Sequence, residues 1–439
     1  MDIDELKKTI DEKTPFFQAR LAEMIEIPSV KGPAKLHAPF GQGPRAALNQ
    51  ALMIAQSLGL TTKQLNDQVG WAELTGKAES YIAALGHLDV VAAQQAGWKS
   101  DPFKLTLKGD YMYGRGVLDN KGPIMGALFA LALLKKAGFH PRHSIRIIFG
   151  TDEESGSADM QTYNLVEKPS IAGFTPDGKY PVVFAERGML RLSLRFSFQD
   201  QSDADLAAIV GDFSPSYLPD KAVIQFTSGV NQTYLGEKTP SNAPDLGKNA
   251  LANLAEAQRF LPGQLGAAFN WLYLAATDST GNKLEIAFNG KTSGKLQISV
   301  YGVEYFQASN QLQVNFSIRY PIELSKAQLL QNLQAHLPAN SKLIIKTAIA
   351  PLYRDPQMPM IKQMQAIYER VTGLDGTPVT TTGITYARFL PNIVAFGPSF
   401  PGQRGIAHKE NEWLKVSDWQ KIILIEYLTL KSLATIDFN

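Results

Sequence analysis

Two short apolar runs, Tyr81 to Leu85 and Ile145 to Phe149, flank a helix-forming stretch from about Pro123 to Lys136 that Gly138 closes. Runs of this length bounded by turn residues read as buried strands, and strand, helix, strand in that order is the pattern of a parallel sheet with helices on its faces. At the end of the first strand stands Gly86-His87-Leu88-Asp89-Val90-Val91. In extended chain, residues i and i+2 point the same way, so His87 and Asp89 can face one site. In open parallel sheets, ligands collect beyond the carboxyl ends of the strands.

The rest of the chain repeats and then interrupts this style. A helix over residues 4–27, with Phe16, Phe17, Leu21, Met24 and Ile25 as its apolar positions, stops at Pro28, and a second runs from Ala46 to Leu58. After Gly188 the pattern changes: Leu190, Leu192, Leu194, Phe196 and Phe198 alternate with polar residues, as do Leu312, Val314, Phe316, Ile318 and Tyr320. Alternation marks an antiparallel sheet with one polar face. From Pro351 the parallel style returns, with a helix around Met360 to Val371, a strand from Asn392 to Phe396, and a closing helix from about Ser417, its expected N-cap, to Leu433. The expected fold is α/β: a mostly parallel-sheet catalytic domain with helices on both faces, plus an inserted α+β domain with an antiparallel sheet. The expected boundaries are 1–188 and 351–439 for the first domain and 189–350 for the insert.

Composition narrows the chemistry. The 43 basic and 41 acidic residues nearly cancel, and without a basic block nucleic acid is not an expected partner. The chain has no cysteine, so a metal would have to sit on His, Asp and Glu. The N-terminal segment is acidic and mixed, unlike a secretory signal, and Ile124 to Leu134 falls far short of the roughly 20 apolar residues of a membrane span. A cytoplasmic protein with no membrane partner is expected.

Further acidic candidates lie where strands and turns end. Asp119 precedes the helix opened by Pro123, Glu153 and Glu154 follow the strand Ile145 to Phe149, and Asp177 lies in Pro176-Asp177-Gly178. His408, in Ala407-His408-Lys409-Glu410-Asn411-Glu412, comes after the strand Asn392 to Phe396 and a Gly/Pro loop, and can reach the same sheet edge. Taken singly, each reads equally well as a turn residue or a solvated charge.

The ordered set GHLDVV at 86, GRGVLDNKGP at 114, GTDEESG at 150, FTPDGKYP at 174, TYAR at 385, FGPSFPG at 396 and AHKENE at 407 resembles the dinuclear zinc superfamily of aminoacylases and carboxypeptidases. Within it, the wording is closest to dipeptidase V (PepV)-like dipeptidases. The resemblance implies two zinc ions, with manganese or cobalt as alternatives. His87 and Asp177 would hold one metal and Glu154 and His408 the other, with Asp119 bridging. Glu153 would be the general base, and Asp89 would hydrogen-bond the far nitrogen of His87. It also implies an inserted domain acting as a lid, Arg319 and Arg388 as substrate-binding residues, a monomer, and hydrolysis of dipeptides or other short peptides. An N-acyl amino acid substrate would use the same metals. Two positions depart from the pattern: Pro240 stands where a carbonyl-polarising histidine is implied, and Ser216 where an asparagine is. These substitutions suggest, as a third reading, a weakened metal-containing peptide binder.

Overall fold

A computed structural model describes residues 2–199 and 205–437. The chain divides into two compact units, one formed by Met1–Phe184, Arg354–Val379 and Ile384–Asn439, the other by Ala185–Tyr353 with Thr380–Gly383.

The first unit is built on a mixed, mostly parallel sheet. Six of its nine strands lie in the order Thr61–Leu65, Val69–Leu74, His143–Gly150, Ala78–His87, Ala172–Thr175 and Ile393–Ala395, and the remaining short strands follow at the last edge. Ala78–His87 runs parallel to both of its neighbours, and Ile393–Ala395 is parallel to Ala172–Thr175, whereas the first two strands are antiparallel additions. Tyr81 through Leu85 are all buried, as a strand covered on both faces requires. On one face Gly86 lies against Ile124 of the helix Lys121–Lys136; on the other the Tyr81 hydroxyl meets that of Tyr163, from the helix Ala158–Val166, at 3.1 Å. The closing helix Val416–Leu433 locks onto Lys121–Lys136 through Trp419, fully buried, whose indole N–H donates to the Gly122 carbonyl at 2.8 Å.

Two local expectations are corrected. The first helix, Ile3–Ile25, is capped by Asp2 and buries Leu6, Ile10, Phe17, Leu21, Met24 and Ile25, so that Phe16 falls off the buried face and is 44% exposed. The closing helix has Lys415 at its N-cap position without a side-chain cap, and its first amide, from Val416, donates to the Asp110 carbonyl at 2.8 Å; Ser417 is already helical, and its amide and hydroxyl both donate to the Asp110 carboxylate.

In the second unit, strands Gln297–Phe306, Gln311–Tyr320, Gly188–Ser197 and Ser341–Ile349 form an antiparallel sheet in that order. The alternating residues Leu190, Leu192, Leu194, Phe196, Leu312, Val314, Phe316 and Ile318 are fully buried in one core with Trp271 and Leu272 of the helix Gly263–Thr277. Three strands, Leu206–Gly211, Lys221–Phe226 and Asn231–Leu235, form a second small sheet. A short ladder pairs Tyr217–Leu218 with Thr239–Pro240. Among the described residues, no helix is long and apolar enough to cross a membrane.

Candidate metal centre

The strand Ala78–His87 delivers His87, 1% exposed, to the carboxyl edge of the first unit's sheet. Its Nδ1 lies 2.9 Å from the backbone carbonyl of Asp89, an acceptor, so Nδ1 carries the proton and Nε2 points into the cleft. There Nε2 lies 3.1 Å from Asp119 Oδ1 and 3.7 Å from Asp177 Oδ1. The second oxygen of Asp119 faces the other imidazole, with Oδ2 3.0 Å from His408 Nε2, and His408 in turn lies 3.0 Å from Glu154 Oε1. Ligand atoms of His87, Asp119 and Glu154 lie within 4.8 Å of one another, as do those of His87, Glu153 and Asp177. The six residues thus come together from strand ends and loops far apart in sequence. His408 closes the open side, with 38% of its side chain accessible and its backbone at φ 64°.

Asp89 meets the His87 ring most closely through its backbone carbonyl. Its carboxylate is 3.5 Å from His87 Nδ1, farther than its own carbonyl, and instead accepts the amides of Glu153 at 3.2 Å and Glu154 at 3.1 Å. The chain turns after His87, which brings the carbonyl under the ring and sends the side chain across to the Glu153–Ser155 turn. One aspartate therefore orients the imidazole through its backbone and the acidic turn through its side chain.

Several supporting residues lie outside the sequence-based set. Asn120 ties two strand ends together: its Oδ1 accepts the His87 amide at 3.3 Å and its Nδ2 donates to the Pro176 carbonyl at 2.6 Å, beside Asp177. A Cβ at Gly86 would collide with that same Asn120 oxygen, which is why the motif opens on glycine. Asp159, fully buried, accepts the Thr151 amide at 2.6 Å, the Asp152 amide at 3.2 Å and the Tyr386 hydroxyl at 2.6 Å, bracing the turn from beneath. Tyr386 also sets its ring edge-on to His87. The adjacency of Asn120 to Asp119 and the TYAR motif were the only sequence signals for these contacts.

The electrostatics fit a cation. Burial opposes charge on His87, yet the carboxylates of Asp177, Asp119 and Asp89 hold its pKa well above the usual histidine value. His408 is raised by Glu154 first, against burial, and then by Asp119. Burial pushes Asp177 up to about 7 and Glu153 well above the usual carboxylate range, Asp177 adding to the effect on Glu153. Asp119 goes the other way: burial is overcome by His408 and His87, which hold it well below. With Nδ1 committed to a carbonyl, an uncharged His87 would aim a lone pair at carboxylate oxygens. Positive charge between these groups, from protons or metal ions, resolves that conflict, and the donor set of imidazole and carboxylate suits zinc, manganese or cobalt.

Arg388 ends the turn Tyr386–Arg388 in the first unit and is half-buried. Arg319, in the second unit, is 9% exposed and donates to the Thr382 carbonyl at 3.1 Å. Pro240 pairs with Tyr217 at the end of its ladder, and just beyond it the Ser216 carbonyl accepts the Ser241 amide at 2.9 Å, so the two departures from the family pattern are near neighbours.

The chain is 27% identical over 457 residues to the Beta-Ala-Xaa dipeptidase of Lactobacillus delbrueckii subsp. lactis, covering 95% of this chain and 96% of the relative. The dipeptidase Dug1p from Saccharomyces cerevisiae shares the fold at a TM-score of 0.65 and 17% identity, covering 99% of this chain and 98% of that one. Human carnosine dipeptidase 1 does so at 0.63 and 15%, covering 98% and 99%. Residues 83–432 match the model of peptidase family M20/M25/M40, and the chain belongs to that family of metal-dependent peptidases.

Proposed function

We propose that the protein is a cytoplasmic, monomeric dipeptidase that hydrolyses dipeptides or other short peptides with two zinc ions. His87 and Asp177 would hold one ion and Glu154 and His408 the other, with Asp119 as the residue that would serve both. One observation carries the reading: the two oxygens of Asp119 each face a different imidazole, at 3.1 and 3.0 Å. The ions, when bound, lower the pKa of a water and draw charge from the scissile carbonyl.

The chain's own residues supply the remainder. Glu153 takes the proton from the attacking water at a carboxylate oxygen and passes it to the departing amine nitrogen. Its upward shift, from burial and from Asp177, is the direction such a shuttle needs near neutrality. Asp89 fixes the Glu153 and Glu154 backbone, so the base and its neighbouring ligand keep separate directions. Arg319 and Arg388 are the proposed partners of the substrate carboxylate.

The test is a panel of dipeptides, tripeptides and N-acyl amino acids, assayed with and without chelator alongside metal analysis. Dipeptide cleavage that a chelator abolishes is expected; no metal-dependent cleavage of any peptide sinks the reading, and cleavage of N-acyl amino acids alone moves the substrate class. Pro240, a residue with no side-chain donor, favours a second reading in which the same metals support only weak turnover. Loss of one oxyanion donor typically costs about 100- to 1000-fold.

A further inference from the structure

Outside the converging groups, one buried carboxylate is bound to the loop that carries Asp119. Glu412 is fully buried and lies in the segment that carries His408. Its Oε1 accepts three backbone amides, from Gly116 at 3.0 Å, Leu118 at 2.9 Å and Asp119 at 3.1 Å. Its Oε2 takes Arg115 Nη1 at 2.6 Å, and its backbone carbonyl accepts the Gly114 amide at 3.2 Å. The neighbouring Asn411 bonds both the Gly97 carbonyl and the Lys99 amide, and Trp413 pairs with Tyr113. Every residue from Gly114 to Asp119 except Val117 therefore has its amide or side chain tied to this segment or, for Arg115, also to the Pro102 carbonyl at 2.7 Å.

The geometry points to Glu412 as a positioning residue that fixes Asp119 opposite His408 before any metal arrives. Asp119 stands between the two imidazoles, with Oδ1 toward His87 and Oδ2 toward His408. Without an anchor its loop would be free to carry the carboxylate out of that position and would have to be ordered again on binding. Three amides gathered on one oxygen hold the Asp119 backbone in place. Because the same residue belongs to the His408 segment, the spacing between the bridging carboxylate and the second imidazole is set by one side chain. Arg115 offsets the buried charge of Glu412 but does not touch Asp119, so the two arms of Glu412 have separable roles. The inference rests on the proposed metal centre.

The experiment titrates the chelator-stripped full-length protein with Co2+, read by its visible absorption, and measures hydrogen exchange of residues 114–119 in the same metal-free samples. E412A removes the acceptor for all three amides, and is expected to weaken Co2+ binding about 10- to 100-fold, as loss of a residue that orients a metal ligand does. Exchange at Gly116, Leu118 and Asp119 should speed up with it. R115Q, which spares the amide arm, should lower stability while binding Co2+ far more tightly than E412A. Wild-type affinity in E412A overturns the inference, and so does equal weakening in both variants, which would mark a general loss of stability. If E412A does not fold, E412D, which keeps the charge and loses reach, takes its place under the same criteria. A wild-type protein that takes up no Co2+ fails the metal reading itself and the inference with it, an outcome distinct from tight binding by both wild type and variant.

Discussion

Substituting Asp159 by Asn should change how stability depends on pH. Asp159 lies beneath the Glu153–Ser155 turn, and burial raises its pKa from 3.8 to about 6, although the Tyr386 hydroxyl and two backbone amides pull it down. A folded-state pKa above the unfolded one means that the fold prefers the protonated acid. The cost of the buried charge is therefore absent below about pH 4, grows as pH rises, and is complete above about pH 6. A shift of about 2 units corresponds to about 3 kcal/mol. Asp159→Asn removes this titration. Its carbonyl can still accept Tyr386 and Thr151, while its amide nitrogen faces the Met160 N–H that Oδ1 now accepts at 2.7 Å, a loss of about 1 kcal/mol. The variant should thus be more stable than wild type by about 2 kcal/mol at pH 7 and slightly less stable near pH 4. Calorimetric midpoints of the metal-free proteins between pH 4 and 7 supply the comparison, and the difference between the two cancels all other titrations. A separation that stays constant across this range would refute the reasoning.

Three further outcomes are expected. Glu153→Gln should lower kcat by about 100- to 10,000-fold with metal content unchanged, as removal of a general base does; loss of metal in that variant would make Glu153 a ligand instead. Asp119→Asn should reduce bound metal measured by elemental analysis, since a neutral amide cannot bridge two cations, and full metal occupancy would remove its bridging role. Pro240→His should raise turnover by up to about 100-fold without altering metal content if the missing donor limits the wild type; an already efficient wild type, unaffected by the change, ends the weak-turnover reading.

What could be read from the residues was mostly local. The runs Tyr81 to Leu85 and Ile145 to Phe149 and the alternation from Leu190 to Phe198 are buried as their periods require, because burial on one or both faces of a strand is written directly in its spacing. His87, Glu153 and Glu154 were marked by strand ends, but the ligand set as a whole was legible only through the ordered motifs that resemble a known family. Contacts between distant segments were not legible. Glu412 looks like one of several charges in a polar loop until Gly116, Leu118 and Asp119 are seen to converge on it, and Asp159 looks like an ordinary first-turn acid until Tyr386 arrives from 227 positions away. The second contact of Asp89 was hidden for a related reason: spacing of two says that side chains share a face, but not that the chain turns and brings the residue's own carbonyl closer to the ring. Ser417 had the chemistry of a cap, and the helix begins before it.

The way the first unit is drawn from three stretches of chain bears on the order of synthesis. His87, Asp119, Glu153, Glu154 and Asp177 all leave the ribosome before the first residue of the second unit, while His408 and Glu412 follow its completion. During that interval the nascent chain carries a crowd of carboxylates around one imidazole, lacking both the second histidine and the anchor of the Asp119 loop. The helix Lys121–Lys136 likewise waits for Trp419 to cover it. Under the proposed ligand assignment, capture of metal by the full set would wait until residue 408 has been made, and a ribosome stalled before it would hold a chain with the acids of the site but not its second imidazole.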